Sequence, residues 1–218
     1  SADFRQVVSP VHGMKNLDAF KIGCNLISKA DDFTQFPFTK NLRQSGQIGN
    51  FLRGFYEKVF GELPQFMAND EMKGPKPQLH LMPYVNFAQT IRKMLNVFKE
   101  KKVTGSMAFL QINEDEDEMI RYREMLEKEN ISLADIWVSD SADGAMVTTS
   151  IERIKGLEYD ICFVVGLEKA ENTMLNFNKN RAYVALSRPA QRLYMFCEHI
   201  PGLLHGMNND LYDIFDAR

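Results

Sequence analysis

The sequence predicts an α/β fold: a mostly parallel sheet covered by helices on both faces, in a chain of 218 residues. Two observations carry this. Segments such as "GSMAFLQI" (105–112) and "DICFVVG" (160–166) are apolar without alternation, the pattern of strands buried on both faces. Between them lie stretches with apolar residues at helical spacing, and strands alternating with helices imply a parallel sheet. No internal repeat or low-complexity linker interrupts the chain, so one domain over residues 1–218 is the simplest organisation.

The elements follow in order. "RQVVSP" (5–10) reads as a short strand. In "GQIGNFLRGFYEKVFGEL" (46–63), Ile48, Phe51, Leu52, Phe55, Val59 and Phe60 share one helical side, with Ser45 as N-cap. "NDEMKGPKP" is a loop by its Pro, Gly and charge content. "QLHLMPY" (78–84) is a strand, and "NFAQTIRKMLNVFKEKK" (86–102) an amphipathic helix whose closing lysines suit its C-terminal dipole. "NEDEDEMIRYREMLEKEN" (113–130) is a helix, and its acidic run 114–118 reads as a solvated first turn favoured by the dipole. "AMVTTS" (145–150), "DICFVVG" and "RLYMFCE" (192–198) are further strands, with a helix around "NKNRAYVALSRPA" (178–190).

Composition narrows the class. The formal charge of −3 does not advertise nucleic-acid binding, but affinity for phosphate depends on a local patch. No apolar run reaches about 18 residues, so no membrane helix is expected, and the start lacks a signal peptide's character. Three cysteines, two of them inside apolar strands, read as reduced buried thiols of a cytoplasmic protein. Cys197, His199 and His205 fit no common zinc spacing.

The stretch "SIERIKGLEYDICFVVGLE" (150–168) sets Lys155, Gly156 and Glu158 directly against a buried strand. If "AMVTTS" is a strand, these residues leave its carboxyl end, where open α/β sheets bind ligands. A charged loop before a strand is also a common structural device, and the stretch alone does not decide.

This stretch resembles motif V of the UvrD/Rep-type superfamily 1 DNA helicases, whose pattern is roughly Thr-x-His-x-x-Lys-Gly-Leu-Glu-Phe-Asp before a hydrophobic strand. "RAYVALSRPAQRLYMF" (181–196) resembles their motif VI, "FTKNLRQSGQI" (38–48) motif IV, and "ADFRQVV" (2–8) motif III, in the family's order. The resemblance implies a RecA-like three-layer sandwich, the second lobe of an ATP-dependent DNA helicase without the large inserted subdomain. It implies that Arg43 and Arg188 approach the γ-phosphate of ATP, with Arg188 as arginine finger. A planar, permanently charged fork suits that task. Gln6, Lys155, Gly156 and Glu158 would face the nucleotide, and Ser150 and Glu152 the DNA strand. Each has a plainer rival: Arg43 as a helix-start surface residue, Arg188 in an ion pair with an acidic helix, Lys155 closing its loop over a carboxylate. Arg181 and Arg192 read as solvent-facing or ion-paired.

Departures from the pattern matter. Glu152 stands where the motif V histidine would be and Ser150 where its threonine would be, which puts an identical DNA contact in doubt. "VVSPVHGMKN" supplies no aromatic residue for base stacking, Leu42 replaces the motif IV tyrosine, and Pro189 the motif VI alanine. No Gly-x-x-x-x-Gly-Lys-Ser/Thr occurs, so the phosphate-cradling loop and the Mg²⁺ ligands are expected in an N-terminal RecA-like lobe of a longer polypeptide. The expected partners are then ATP with Mg²⁺, single-stranded DNA and that lobe, with no membrane. The alternatives are a docking or DNA-binding module whose ATPase has decayed, and the helicase part of a helicase-nuclease. Arg43, Glu158 and Arg188 are expected to converge on the carboxyl edge of the sheet.

Overall fold

In the computed structural model, residues 41–218 are described, apart from 65, 114, 136–144, 155 and 172–176. The expected strand over 5–10, Gln6 within it, and Cys24 lie outside the described residues. Helix α1 (Gly46–Phe60) starts at Ser45, whose hydroxyl accepts from the Ile48 amide, and stops at Gly61. Gly61 takes the left-handed conformation at φ 73° and returns its N–H to Glu57 O, which side chains do badly and glycine freely. The helix therefore ends three residues before the expected Leu63, which is exposed. Strand β1 (Gln78–Leu81) is followed by a 3₁₀ turn at Tyr84–Asn86 and by α2 (Phe87–Glu100). Then come β2 (Met107–Gln111), α3 (Glu116–Lys128), β3 (Leu133–Asp135) and β4 (Met146–Ser150). One turn of helix, α4 (Ile151–Ile154), leads to β5 (Tyr159–Val165), α5 (Phe177–Leu186), β6 (Pro189–Cys197) and β7 (Asp213–Asp216).

The seven strands form one sheet in the order β3-β4-β2-β5-β6-β1-β7, every pairing parallel. The α/β class and the three-layer, RecA-like arrangement expected from the sequence are observed. One core lies between the sheet and α1, α4 and α5, built from Phe51, Phe55, Leu110, Val164, Leu186 and Met195 among others. The other lies under α2 and α3 and is aromatic, with Phe87, Phe109, Tyr122, Phe163, Tyr194 and Phe196 in contact. Connections travelling towards β3 (β1 to β2, β2 to β3) use the second face. Those travelling towards β7 (β4 to β5, β5 to β6, β6 to β7) use the first. A single hand of crossover requires this division. Cys162 and Cys197 are buried free thiols in β5 and β6, and burial pushes the Cys162 thiol well up.

Two expectations shift. The segment 187–190, read as the end of a helix, turns at Ser187–Arg188 and enters β6 at Pro189, the first residue of a strand being one of the places proline tolerates. The strands β3 and β7 went unread. All four residues of β7 are exposed, so no apolar pattern announces it; its backbone pairing with β1 makes it a strand.

Candidate functional site

The segments that carry Arg43, Glu158 and Arg188 meet in one place. The Arg188 side chain is buried. Its Nε donates to Val184 O (3.0 Å), Nη1 to Leu157 O (3.2 Å) and Nη2 to Ser187 Oγ (2.9 Å). Val184 O belongs to the last turn of α5, where carbonyls lack helical partners and a cation is favoured. The main chain joins in, Tyr159 N donating to Arg188 O (3.2 Å). The buried Gln44 sends Nε2 to Ser187 O (2.9 Å) and Pro189 O (3.1 Å), bracketing Arg188, and accepts from Asn41 Nδ2 (2.6 Å). Ser45 N adds a bond to Ala190 O at 2.8 Å. Residues 41–45, 157–159 and 187–190 are thus one hydrogen-bonded unit.

On its outer side, Arg43 Nε is ion-paired with Glu158 Oε1, both side chains part exposed. Leu42 and Leu157, beside them in sequence, are exposed apolar residues. Burial lowers the Arg188 pKa, the Arg43 charge adds to the lowering, and Cys162 and Glu158 oppose it. The two guanidiniums therefore feel each other. Gly156 has φ 88° and nothing within 4 Å of where a Cβ would sit, so glycine serves the backbone turn there.

This unit sits on the amino edge of the sheet, not the expected carboxyl edge. Glu158 immediately precedes β5, and Arg188 immediately precedes β6. The physical reason is the brevity of the crossover. Ser150 closes β4 level with Gln111 and Val165 at the carboxyl edge, and residues 151–158 carry the chain back across the sheet to Tyr159. Ser150 and Glu158 therefore lie at opposite edges. Glu152 lies in α4, with its side chain outside the described residues, as is Lys155 altogether. Arg192, expected to be solvent-facing or ion-paired, is half-buried with its guanidinium 5.8 Å from the Phe98 ring centroid.

A second polar cluster, missed in the sequence, occupies the carboxyl edge. The connections from β2 and β5 leave in opposite directions there, the place where doubly wound sheets open a crevice. Glu118, expected in a solvated helix start, is buried. It accepts from Lys169 Nζ, Asn113 Nδ2 (2.5 Å), Tyr122 OH (2.8 Å) and Gln111 Nε2 (3.4 Å). Burial alone would raise its pKa; the bonds from Lys169, Asn113 and Tyr122 outweigh that and hold it down. Glu168 is also buried and accepts from Tyr84 OH (2.6 Å) and Glu198 N (2.5 Å). Burial and the neighbouring carboxylates push both phenols well up. Gln111 Oε1 and Asn113 Oδ1 have no hydrogen-bond partner. The only sequence signal was the acidic run itself, because Lys169 and Glu118 are 51 positions apart.

Among the described residues, no group of three or more His, Cys, Asp or Glu side chains could hold a metal ion. An anion's oxygens, by contrast, fit Arg43, a part-exposed cation whose single partner sits at the surface. No helix among the described residues is long and apolar enough to cross a membrane.

No protein-family model matches the chain and no curated protein matches it. Among solved structures it is similar to the C-terminal domain of a possible DNA helicase from Lactobacillus plantarum WCFS1. The TM-score is 0.60 at 15% identity, over 82% of this chain and 99% of that one. It is also similar to Arterivirus nonstructural protein 10, a helicase, solved in complex with DNA (TM-score 0.41, 8% identity, 75% of this chain and 37% of that one). The same helicase in a second structure gives a TM-score of 0.39 over 36% of its length. The first of these likenesses establishes a fold shared with that domain.

Proposed function

We propose that this chain is the second RecA-like lobe of an ATP-driven DNA helicase or translocase of the UvrD/Rep type. It would act with a first lobe that supplies the phosphate loop and the Mg²⁺ ligands. The observation that carries the reading is the union of three motif-like segments around Arg188, which sets Arg43 and Glu158 side by side at one edge. The fold of a possible DNA helicase's C-terminal domain agrees with it. Exposed Leu42 and Leu157 flank the pair, as a surface covered by another lobe would require. In this reading Arg43 exchanges Glu158 for the γ-phosphate, while Arg188 holds the loops in register and reaches the phosphate only when the lobes close. Gln6, Lys155 and Gly156 face the same nucleotide, and Ser150 and Glu152, at the other edge, face single-stranded DNA.

The burial of Arg188 favours a second reading, a docking module in which this arginine is purely structural. Steady-state ATPase assays with single-stranded DNA, on the polypeptide that joins this chain to its first lobe, separate the two. Arg43→Ala is expected to cut turnover by roughly a hundredfold or more with little change in KM, since its loss falls on charge developing in the transition state. Arg188→Lys is expected to do the same, a point charge being no substitute for the fork. Retention of more than about a tenth of the rate by both variants overturns the helicase reading and leaves the docking module.

A further inference from the structure

The groove between α2 and the amino ends of β1 and β6 has no part in the site above. It lies on the opposite face of the sheet from the last turn of α5, which Arg188 caps. Its volume is about 420 Å³, within the range of small-molecule sites. One face of α2 lines it, with Lys93, Val97, Phe98 and Lys101 among the contributors, and Arg192 and Tyr194 of β6 stand opposite. The two lysines are eight residues apart, about 12 Å along the helix axis, so a cation marks each end of the groove with apolar surface between.

The charge is the anomaly. The chain carries 29 acidic against 26 basic residues, yet no carboxylate lines this groove. Among the described residues, Lys93, Lys101 and Arg192 make no ion pair. Lys93 has only a 3.5 Å contact to Gln89 Oε1. Arg192 is half-buried, its guanidinium 5.8 Å from the Phe98 ring centroid. Three like charges brought to one cavity repel, and the lack of a protein counter-charge leaves that place to a ligand anion. Lys and Arg together suit phosphate oxygens, and the apolar surface of Met94 and Val97 suits the face of a flat ring. Lysines closing α2 are favoured by its dipole, but the dipole accounts for neither Lys93 in mid-helix nor Arg192 on β6.

We propose that the α2 groove binds a nucleotide, its phosphate held by Lys93, Lys101 and Arg192 and its base laid against Met94 and Val97. The source is a free mononucleotide or one unit of a single strand. The groove does not rest on the helicase reading, since it shares no residue with the Arg43–Glu158 edge.

Isothermal titration of the 218-residue protein, at low and moderate salt, tests the proposal with thymidine monophosphate, a ten-residue oligothymidylate and inorganic phosphate. Saturable nucleotide binding at least about tenfold tighter than inorganic phosphate is expected, because the base contributes. The triple variant Lys93→Gln/Lys101→Gln/Arg192→Gln, with unchanged circular dichroism, is expected to lose at least about tenfold in affinity, and Lys58→Gln, an exposed cation on α1, to lose none. Should the triple variant lose its fold, Val97→Asp, an exposed position, gives the same loss without removing a cation, by setting a carboxylate beside Lys93 and Lys101. Tighter binding of the oligonucleotide identifies a strand as the source, and equal binding a free nucleotide. No saturable nucleotide binding, binding equal to that of inorganic phosphate, or affinity retained by both variants overturns the proposal. So does binding to phosphatidylserine vesicles without nucleotide binding.

Discussion

A buried guanidinium without a carboxylate partner must have its charge held by neutral oxygens, and Arg188 is held by Val184 O, Leu157 O and Ser187 Oγ. Arg43, on the surface, has the opposite character: its pair with Glu158 is part exposed and worth about 1 kcal/mol or less. Stability therefore resides in one arginine and accessibility in the other. A third residue couples the fold to pH. Burial lowers the His80 pKa to about 4, and its ring is stacked on Phe196 and Phe215. Between about 4 and its ordinary 6.5 the unfolded chain binds the extra proton, so stability rises with pH across that window. Acidification from pH 7 to 4.5 is expected to lower unfolding free energy, with a ceiling of about 3 kcal/mol from this group. Urea titrations at several pH values check it, and His80→Phe should flatten the slope above pH 5. A wild-type slope unchanged in that variant would exclude His80 as its source. Glu118 acts lower down: its depressed pKa means its contribution is present above the ordinary carboxylate range and lost only as pH falls through the folded value.

Helix α3 shows what an element's ends contribute. Asp115 Oδ1 accepts from the Glu118 amide at 2.9 Å, and Glu116 and Asp117 fill the first turn. Asp115→Ala is expected to cost about 1 kcal/mol, read as a lower urea midpoint, whereas Glu116→Ala, which only screens the dipole, should cost a few tenths. Equal costs would show that the cap contributes nothing beyond charge. The central strands β2, β4, β5 and β6 and the four longer helices α1, α2, α3 and α5 were legible because each repeats an apolar pattern long enough to see. β3 was not, being three residues long, nor was β7, which is exposed throughout and held by its pairing with β1. In the same way, the convergence of Arg43, Glu158 and Arg188 could be expected from the motif order. The edge could not, because one turn of helix in residues 151–158 returns the chain across the whole sheet. The Glu118–Lys169 cluster was hidden because a charge in sequence does not name its partner in space.

At the scale of the molecule, the two edges of one sheet divide the polar groups. The amino edge holds Arg43, Glu158 and Arg188 on one face and the cations of the α2 groove on the other, while the carboxyl edge holds buried carboxylates. The sequence contains no phosphate-loop pattern, and no metal cluster exists among the described residues. The purified 218-residue chain is therefore expected to release no phosphate from Mg²⁺-ATP above background, whether or not single-stranded DNA is added. A coupled phosphate-release assay checks this. Robust Mg²⁺-dependent turnover would mean that the hydrolytic groups reside in this chain after all.

The place of β1 in the sheet has a consequence for how the chain acquires its shape. Its neighbours are β6 and β7, so Gln78 pairs with Tyr194, 116 positions later, and with Asp213. On the ribosome, at about 5–20 residues per second, β1 emerges on the order of ten seconds before either neighbour exists. During that interval the α1 and α2 apolar faces have only part of a sheet to cover, and the unpaired β1 backbone is open to other chains. Closing so large a loop before its contacts form also makes refolding slow relative to a helical bundle of equal size. The β6-β1-β7 end of the sheet is thus the last part to be completed, and the nascent chain depends on β6, the strand that follows Arg188, to close it.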